Sequence, residues 1–244
     1  MELTQNLLSA LFPSRCILCR QTVRIAAINP NIEVCLDCYQ ALPHNDNSCT
    51  RCALPLPVDI GNQSSCGRCI KKAPSYDYSG SVFRYEGDII NLIHQLKFGE
   101  KISHARSIGE VLLAFYENVL LAKHGVPDCI VPVPLHAKRL RERGYNQSSE
   151  IARVIAKRLK VPIAYDAVIK KHSTLAQSGL NAKERQKNIK NAFSVMNVED
   201  YKHVLVIDDV VTTGSTVNEM AKALKKSGIE RVGVLSIARA PVKN

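Results

Sequence analysis

Residues Val204–Thr216 read VLVIDDVVTTGST, and this stretch decides the fold. Val204–Ile207 is an unbroken apolar run, the pattern of a parallel strand covered on both faces. It ends on two adjacent carboxylates, Asp208 and Asp209. Thr212, Thr213, Gly214, Ser215 and Thr216 follow, and then a helical pattern begins. Open α/β sheets hold ligands beyond the carboxyl ends of their strands. The free N–H groups and dipole of a helix N-terminus favour a phosphate there. Gly214 lets the backbone approach a ligand closely. Two neighbouring carboxylates suit ribose hydroxyls and a Mg²⁺ held mostly through water. No Gly-Lys-Ser/Thr follows, so the turn is not a Walker loop, and a G-x-G-x-x-G fingerprint is also missing.

Working outward, strands alternate with helices, which predicts a mostly parallel α/β sheet. Tyr78–Tyr85 alternates as a strand. Asp88 reads as the N-cap of a helix reaching Gln95 or Leu96. Ile108, Val111, Leu112, Phe115, Val119 and Leu120 keep helical spacing, and Gly125-Val126-Pro127 closes that helix. Ile130–Pro134 reads as a strand stopped by proline, Tyr145–Lys160 as a helix, and Val161–Ile163 as a short strand. Lys170–Lys190 is polar and basic, a long loop with some helix. Ala192–Val195 and Val232–Ile237 read as strands. Ser215–Lys226 reads as a helix closed by Gly228 at C′. Pro74 ends an N-terminal segment, dividing the chain at 1–74 and 75–244.

That N-terminal segment carries eight of the nine cysteines as four C-x-x-C pairs: Cys16/Cys19, Cys35/Cys38, Cys49/Cys52 and Cys66/Cys69. A C-x-x-C knuckle points two thiolates at one metal, and a second knuckle completes a tetrahedral site. The simplest pairing is sequential. Cys16, Cys19, Cys35 and Cys38 then hold one Zn²⁺, and Cys49, Cys52, Cys66 and Cys69 a second. Interleaved pairing, one metal with spare thiols, and an iron–sulfur cluster are the alternatives. A closed four-thiolate site has no open position, so the metal is structural and supplies much of the module's folding energy. Cys129, inside an apolar run, reads as a buried strand cysteine.

The chain has 244 residues and a formal charge of +11. Between Lys138 and Lys190 there are 14 Lys/Arg against 4 Asp/Glu, so nearly all the excess lies there. Such a concentration suits polyanions. No apolar run reaches the ~18 residues of a membrane span. The start, MELTQNLLSALFP, lacks a basic region and a small-residue cleavage site, so no secretory signal is expected. Leu3, Leu7, Leu8, Leu11 and Phe12 there form one face of a short helix.

Val204–Thr216 resembles the phosphoribosyl diphosphate (PRPP) motif of type I phosphoribosyltransferases. Three further segments carry a likeness: PVPLHAKRLRERGYNQ (Pro132–Gln147), HSTLAQSGLNAKERQKNIKNAF (His172–Phe193) and LKFGE (Leu96–Glu100). With the four cysteine pairs, they make the chain similar to ComF-type competence proteins, a group that includes GntX-like proteins. The resemblance implies a small double zinc-ribbon module followed by a type I phosphoribosyltransferase-like domain with helices on both faces of its sheet. It implies a cytoplasmic role in natural transformation, where incoming single-stranded DNA is received, beside a DNA-uptake helicase or channel component. It implies that Asp208 and Asp209, the catalytic pair, meet ribose hydroxyls and Mg²⁺, and that Thr212 to Thr216 hold the 5′-phosphate. Arg139, Arg141, Arg143 and Arg185 would meet pyrophosphate or DNA phosphates, and Gln177, Arg185 and Asn188 fit the family pattern. Phe98, Tyr145 and Phe193 are candidate base-stacking aromatics. Two further readings follow from the same motif: an active transferase with an unknown acceptor, and a PRPP-sensing regulator.

Overall fold

The computed structural model describes residues 15–23, 32–57, 65–98, 103–170 and 192–241. The N-terminal apolar stretch and most of Lys170–Lys190 lie outside them. So do His172, Gln177, Arg185 and Asn188.

Four strands form one parallel sheet: β1 (Tyr78–Arg84), β2 (Cys129–Pro132), β5 (His203–Val211) and β6 (Arg231–Arg239), in the order β1-β6-β5-β2. A separate antiparallel hairpin pairs β3 (Val168–Lys170) with β4 (Phe193–Val195). The helices are α1 (Leu36–Ala41), α2 (Gly67–Lys71), α3 (Asp88–Phe98), α4 (Ser103–Phe115), α5 (Leu121–His124), α6 (Ala137–Arg143), α7 (Gln147–Leu159) and α8 (Ser215–Lys226). A π-helical turn, Tyr116–Leu120, joins α4 to α5, and Gly125, at φ 74°, ends the run.

Alternation along β5 explains the two layers. Leu205 and Ile207 face one side with α3, α4 and α7. Val204 and Val206 face the other with Val217, Met220, Ala221 and Leu224 of α8. All six of the β5 and β6 residues Val204–Ile207, Val232 and Leu235 are fully buried, as a doubly covered sheet requires. At Gly233 of β6 the Tyr78 ring lies where a Cβ would sit, 2.3 Å from its Cζ, so only glycine fits.

The cysteine module is fastened to this sheet. Asn45 N–H donates to Val82 O and Arg84 N–H to Pro43 O, so Pro43–Asn45 runs along the open edge of β1. Covering an edge in this way removes a site for stray strand pairing. The buried Asn45 amide also donates to Ala53 O at 2.9 Å and Ser81 O at 3.4 Å. Cys16 packs with the α3–α4–α7 layer, whereas Cys49, Cys52 and Cys66 pack with the α8 layer. The two knuckle pairs therefore grip the β1 edge from opposite faces.

Several boundaries differ from the sequence reading. β5 does not stop at the carboxylates but runs on to Val211, because β6 pairs with it as far as Val211↔Arg239. β2 stops at Pro132 rather than Pro134. The short strand expected at Val161–Ile163 is a single bridge, Ile130↔Ile163. The basic run after Pro134 forms helix α6, with Gly144 closing it at φ 78°. β3 had no clear signal, since three residues show no period.

Candidate functional site

The site begins where β2 ends. The last β2 pair is Pro132↔Ile207, and Val133 N–H donates to Ile207 O. Proline then denies β2 any further ladder. Asp208 and Asp209 thus lie beyond their neighbour's carboxyl end while still held by β6.

Each carboxylate is oriented locally. Asp208 Oδ1 accepts from the Asp209 N–H at 3.0 Å, and Asp209 Oδ1 from the Val210 N–H at 2.7 Å. Asp209 Oδ2 meets Lys97 Nζ at 2.8 Å, in an ion pair whose side chains are only 12% and 23% exposed. Desolvation first, and the Asp209 charge second, push the Asp208 carboxyl well above the usual carboxylate range, against the pull of Lys97. A divalent cation at this pair would relieve both effects.

Lys97 is the residue that reading for carboxylates and hydroxyls overlooked. It sits in the last turn of α3, within the LKFGE segment. Its helix is tied to the basic run, because the Tyr145 hydroxyl donates to Leu96 O.

The arginines of α6 divide. Arg143 is partly buried and lies in the field of both Asp209 and Arg139; burial, then Arg139, lowers its pKa. Arg139 also acts on Lys170 at the end of β3, whose pKa is lowered chiefly by burial. Arg139 and Arg141 are exposed. Thus Arg143 lies near Asp209, and Arg139 lies near both Arg143 and Lys170, so the three form one cationic run that approaches the carboxylates through Arg143. The Asn146 side chain fixes the end of this segment, donating to Val133 O at 3.0 Å and capping α7 through Ser148 N–H.

The hydroxyl turn follows β5. Gly214, at φ 79°, caps α8 in the left-handed region that favours glycine. Thr213 Oγ1 and Ser215 Oγ lie 2.9 Å apart, and Ser215 N–H reaches Thr213 Oγ1 at 3.3 Å. Thr212 is exposed, and Thr213, Ser215 and Thr216 are partly so. The turn therefore presents hydroxyls and helix-start N–H groups together, as a phosphate needs.

Arg239 holds this turn from behind. Only 3% exposed, it donates through Nε to Cys52 O at 3.0 Å and through Nη1 to Val211 O at 3.0 Å, to Thr212 O, and to Ala240 O at 3.1 Å. One guanidinium thus links a metal knuckle to the hydroxyl turn.

The eight cysteines gather as expected into two tetrads, Cys16/Cys19/Cys35/Cys38 and Cys49/Cys52/Cys66/Cys69, each with its sulfurs within 4.8 Å of one another. This geometry excludes interleaved pairing. Sγ separations of 3.8 Å (Cys19–Cys35) and 3.7 Å (Cys52–Cys66) match the edge of a tetrahedron with metal–sulfur bonds of about 2.3 Å. The Cys35 and Cys66 N–H groups donate to Cys16 Sγ and Cys49 Sγ at 3.4 and 3.2 Å. The Cys52 side chain, against burial, and then N–H donors hold the Cys49 thiol low, while the same contact pushes Cys52 up, so one thiolate of the pair is favoured. The set fits two structural Zn²⁺ ions. Cys129 is fully buried in β2, and burial pushes its thiol up to about 12.

Of the candidate stacking aromatics, Phe193 is buried at 6% exposure and Tyr145 is engaged with α3; the Phe98 side chain is outside those described. Among the described residues, no helix is long and apolar enough to cross a membrane.

Comparison with known proteins adds the family. A model of the phosphoribosyl transferase domain matches residues 146–244, and one of the double zinc ribbon domain matches residues 7–70. Competence protein F of Haemophilus influenzae is 34% identical, with 94% of this chain and 98% of that protein covered. DNA utilization protein YhgH of Escherichia coli (strain K12) is 33% identical over 93% and 97% of the respective chains. Competence protein ComFC of Streptococcus pneumoniae is 23% identical over 92% of this chain and all of that protein.

Proposed function

As the chain belongs to the competence protein F family, we propose that it is a cytoplasmic DNA-utilisation protein that binds a PRPP-type ligand and handles incoming single-stranded DNA. One observation carries the reading: the paired carboxylates stand beyond the end of β2, Asp209 meets Lys97, and the hydroxyl turn follows at the end of the same strand.

In this reading Asp208 and Asp209 orient the ribose hydroxyls. The N–H groups and hydroxyls of Thr212–Thr216 cradle the 5′-phosphate. Arg143, Arg139 and Lys97 offset the pyrophosphate charge. Mg²⁺ bound with the ligand would supply further neutralisation of that charge. Lys97 already pairs with Asp209, so when Lys97 turns to the pyrophosphate the ribose hydroxyls and Mg²⁺ would take its place at Asp209.

The exposed Arg139 and Arg141 of α6 offer phosphate contacts to a nucleic-acid strand. An uptake helicase or channel component would deliver that strand.

Calorimetry of the zinc-loaded protein with PRPP and Mg²⁺, beside Asp208→Asn/Asp209→Asn, tests the ligand site. Saturable binding lost in the variant is expected. Absence of binding in both sinks the reading. Release of pyrophosphate with a nucleobase panel would identify an active transferase, and binding without release a PRPP-sensing regulator.

A further inference from the structure

Beside the hydroxyl turn lies a cleft of about 590 Å³, walled by Cys52 and Cys69 of the second tetrad, the segment Ala73–Tyr76 and the start of α8. Thr213, Gly214 and Ser215 form one rim. Arg68 and Lys72 stand on the knuckle side, and Lys222 on the α8 side. Among the described residues none of these three cations has an ion pair, and Arg68 and Lys72 are exposed. The α8 wall also carries Glu219, which has an interaction of its own. The Ser75 N–H donates to Asn218 Oδ1 at 2.7 Å, fixing the linker against α8, so the walls are set in place.

A turn built for one phosphate needs no further cations beside it. Here the phosphate cradle is continuous with three unpaired positive side chains on two separate elements. We propose that this cleft is a second anion subsite, and that the site takes a ribose whose 5′-phosphate continues as a phosphate chain, a nucleoside 5′-polyphosphate. The assignment rests on the phosphate-cradling role given to Thr212–Thr216 above. A polyphosphate is favoured over a nucleic-acid strand because a single-strand site pairs its cationic groove with exposed aromatic faces on which bases stack. Among the described residues lining the cleft the one aromatic is Tyr76, which is 3% exposed. Phosphate oxygens, in contrast, need only cations and N–H donors.

The test uses the zinc-loaded full chain in calorimetric titrations with adenosine 5′-monophosphate, adenosine 5′-triphosphate, inorganic tripolyphosphate and an oligothymidylate. The triphosphate should bind about tenfold more tightly than the monophosphate for each additional charge-assisted hydrogen bond to its phosphate chain. Tripolyphosphate should compete with it. Arg68→Glu/Lys72→Glu should abolish the advantage and leave monophosphate binding unchanged. Zinc content is measured alongside, since Arg68 neighbours Cys69. Lys222→Glu, on α8 and away from the cysteines, should do the same without touching the metal. Equal affinity for mono- and triphosphate, or an advantage that survives both variants, overturns the subsite while leaving the cradle intact. Failure of every phosphate to bind removes the cradle itself. A charge-reversal effect confined to the oligothymidylate assigns the cleft to a strand and overturns the polyphosphate.

Discussion

Asp208 pays for its position in stability. Its carboxyl is pushed up in the folded protein, so the native state holds a proton that the unfolded chain has released. Stability therefore falls as pH rises from the ordinary carboxylate value through the raised native one, and stays low above it. Asp208→Asn should raise the melting temperature at neutral pH while abolishing PRPP binding, a contrast that thermal unfolding and calorimetry read together. A merely structural aspartate would lose stability instead. Because binding a cation needs the ionised form, binding should release protons at pH below the raised value. Titration in buffers of different ionisation enthalpy measures that release. Lys97 predicts the opposite sign: Lys97→Met leaves Asp209 without its partner and should cost about 1–3 kcal/mol by denaturant unfolding. His124 marks the far end of the sheet. It stacks on Tyr78, its ring centroid 3.7 Å away, beside Arg231; burial first, then Arg231, lowers it to about 4. Stability should thus rise as pH increases from about 4 to the ordinary histidine value, and His124→Gln should flatten that limb.

Among elements, the Cys49/Cys52 knuckle and the hydroxyl turn act together because Arg239 bonds to both. Cys49→Ser should weaken PRPP binding as well as zinc retention. Cys16→Ser, whose tetrad packs on the other layer, should reduce stability with a smaller effect on the ligand. Zinc content and calorimetry of both variants decide this; equal loss of affinity would show that only global stability links metal and ligand. The β5–α8 unit was readable from the chain because an apolar run, a glycine and a helical period succeed one another without interruption. The end of the strand was not readable, since β5 continues past its carboxylates only through pairing with β6. Helix α6 was obscured by its charge: AKRLRER carries a single large apolar residue, so no amphipathic period appears.

For the whole molecule, the proposed handling of single-stranded DNA rests on the basic segment. Single-stranded DNA binding should weaken steeply with salt, with a logarithmic slope of about −0.7 per phosphate neutralised. Charge reversal at Arg139 and Arg141 should reduce both affinity and slope in fluorescence titrations, and an unchanged slope would remove α6 from the interface. Much of the molecule followed from local sequence alone. Four cysteine pairs at metal-ligand spacing, a buried strand and a hydroxyl turn are each defined within a few residues, where chain connectivity fixes the geometry. Tertiary structure alone decided which residues oppose the carboxylates. Lys97 reaches Asp209 from more than a hundred positions away, and Arg239 joins Cys52 to Thr212 across the sheet edge. The edge cover by Pro43–Asn45 is of the same kind. Such contacts follow from how layers stack and where a neighbouring strand stops, and no periodicity along the chain encodes them.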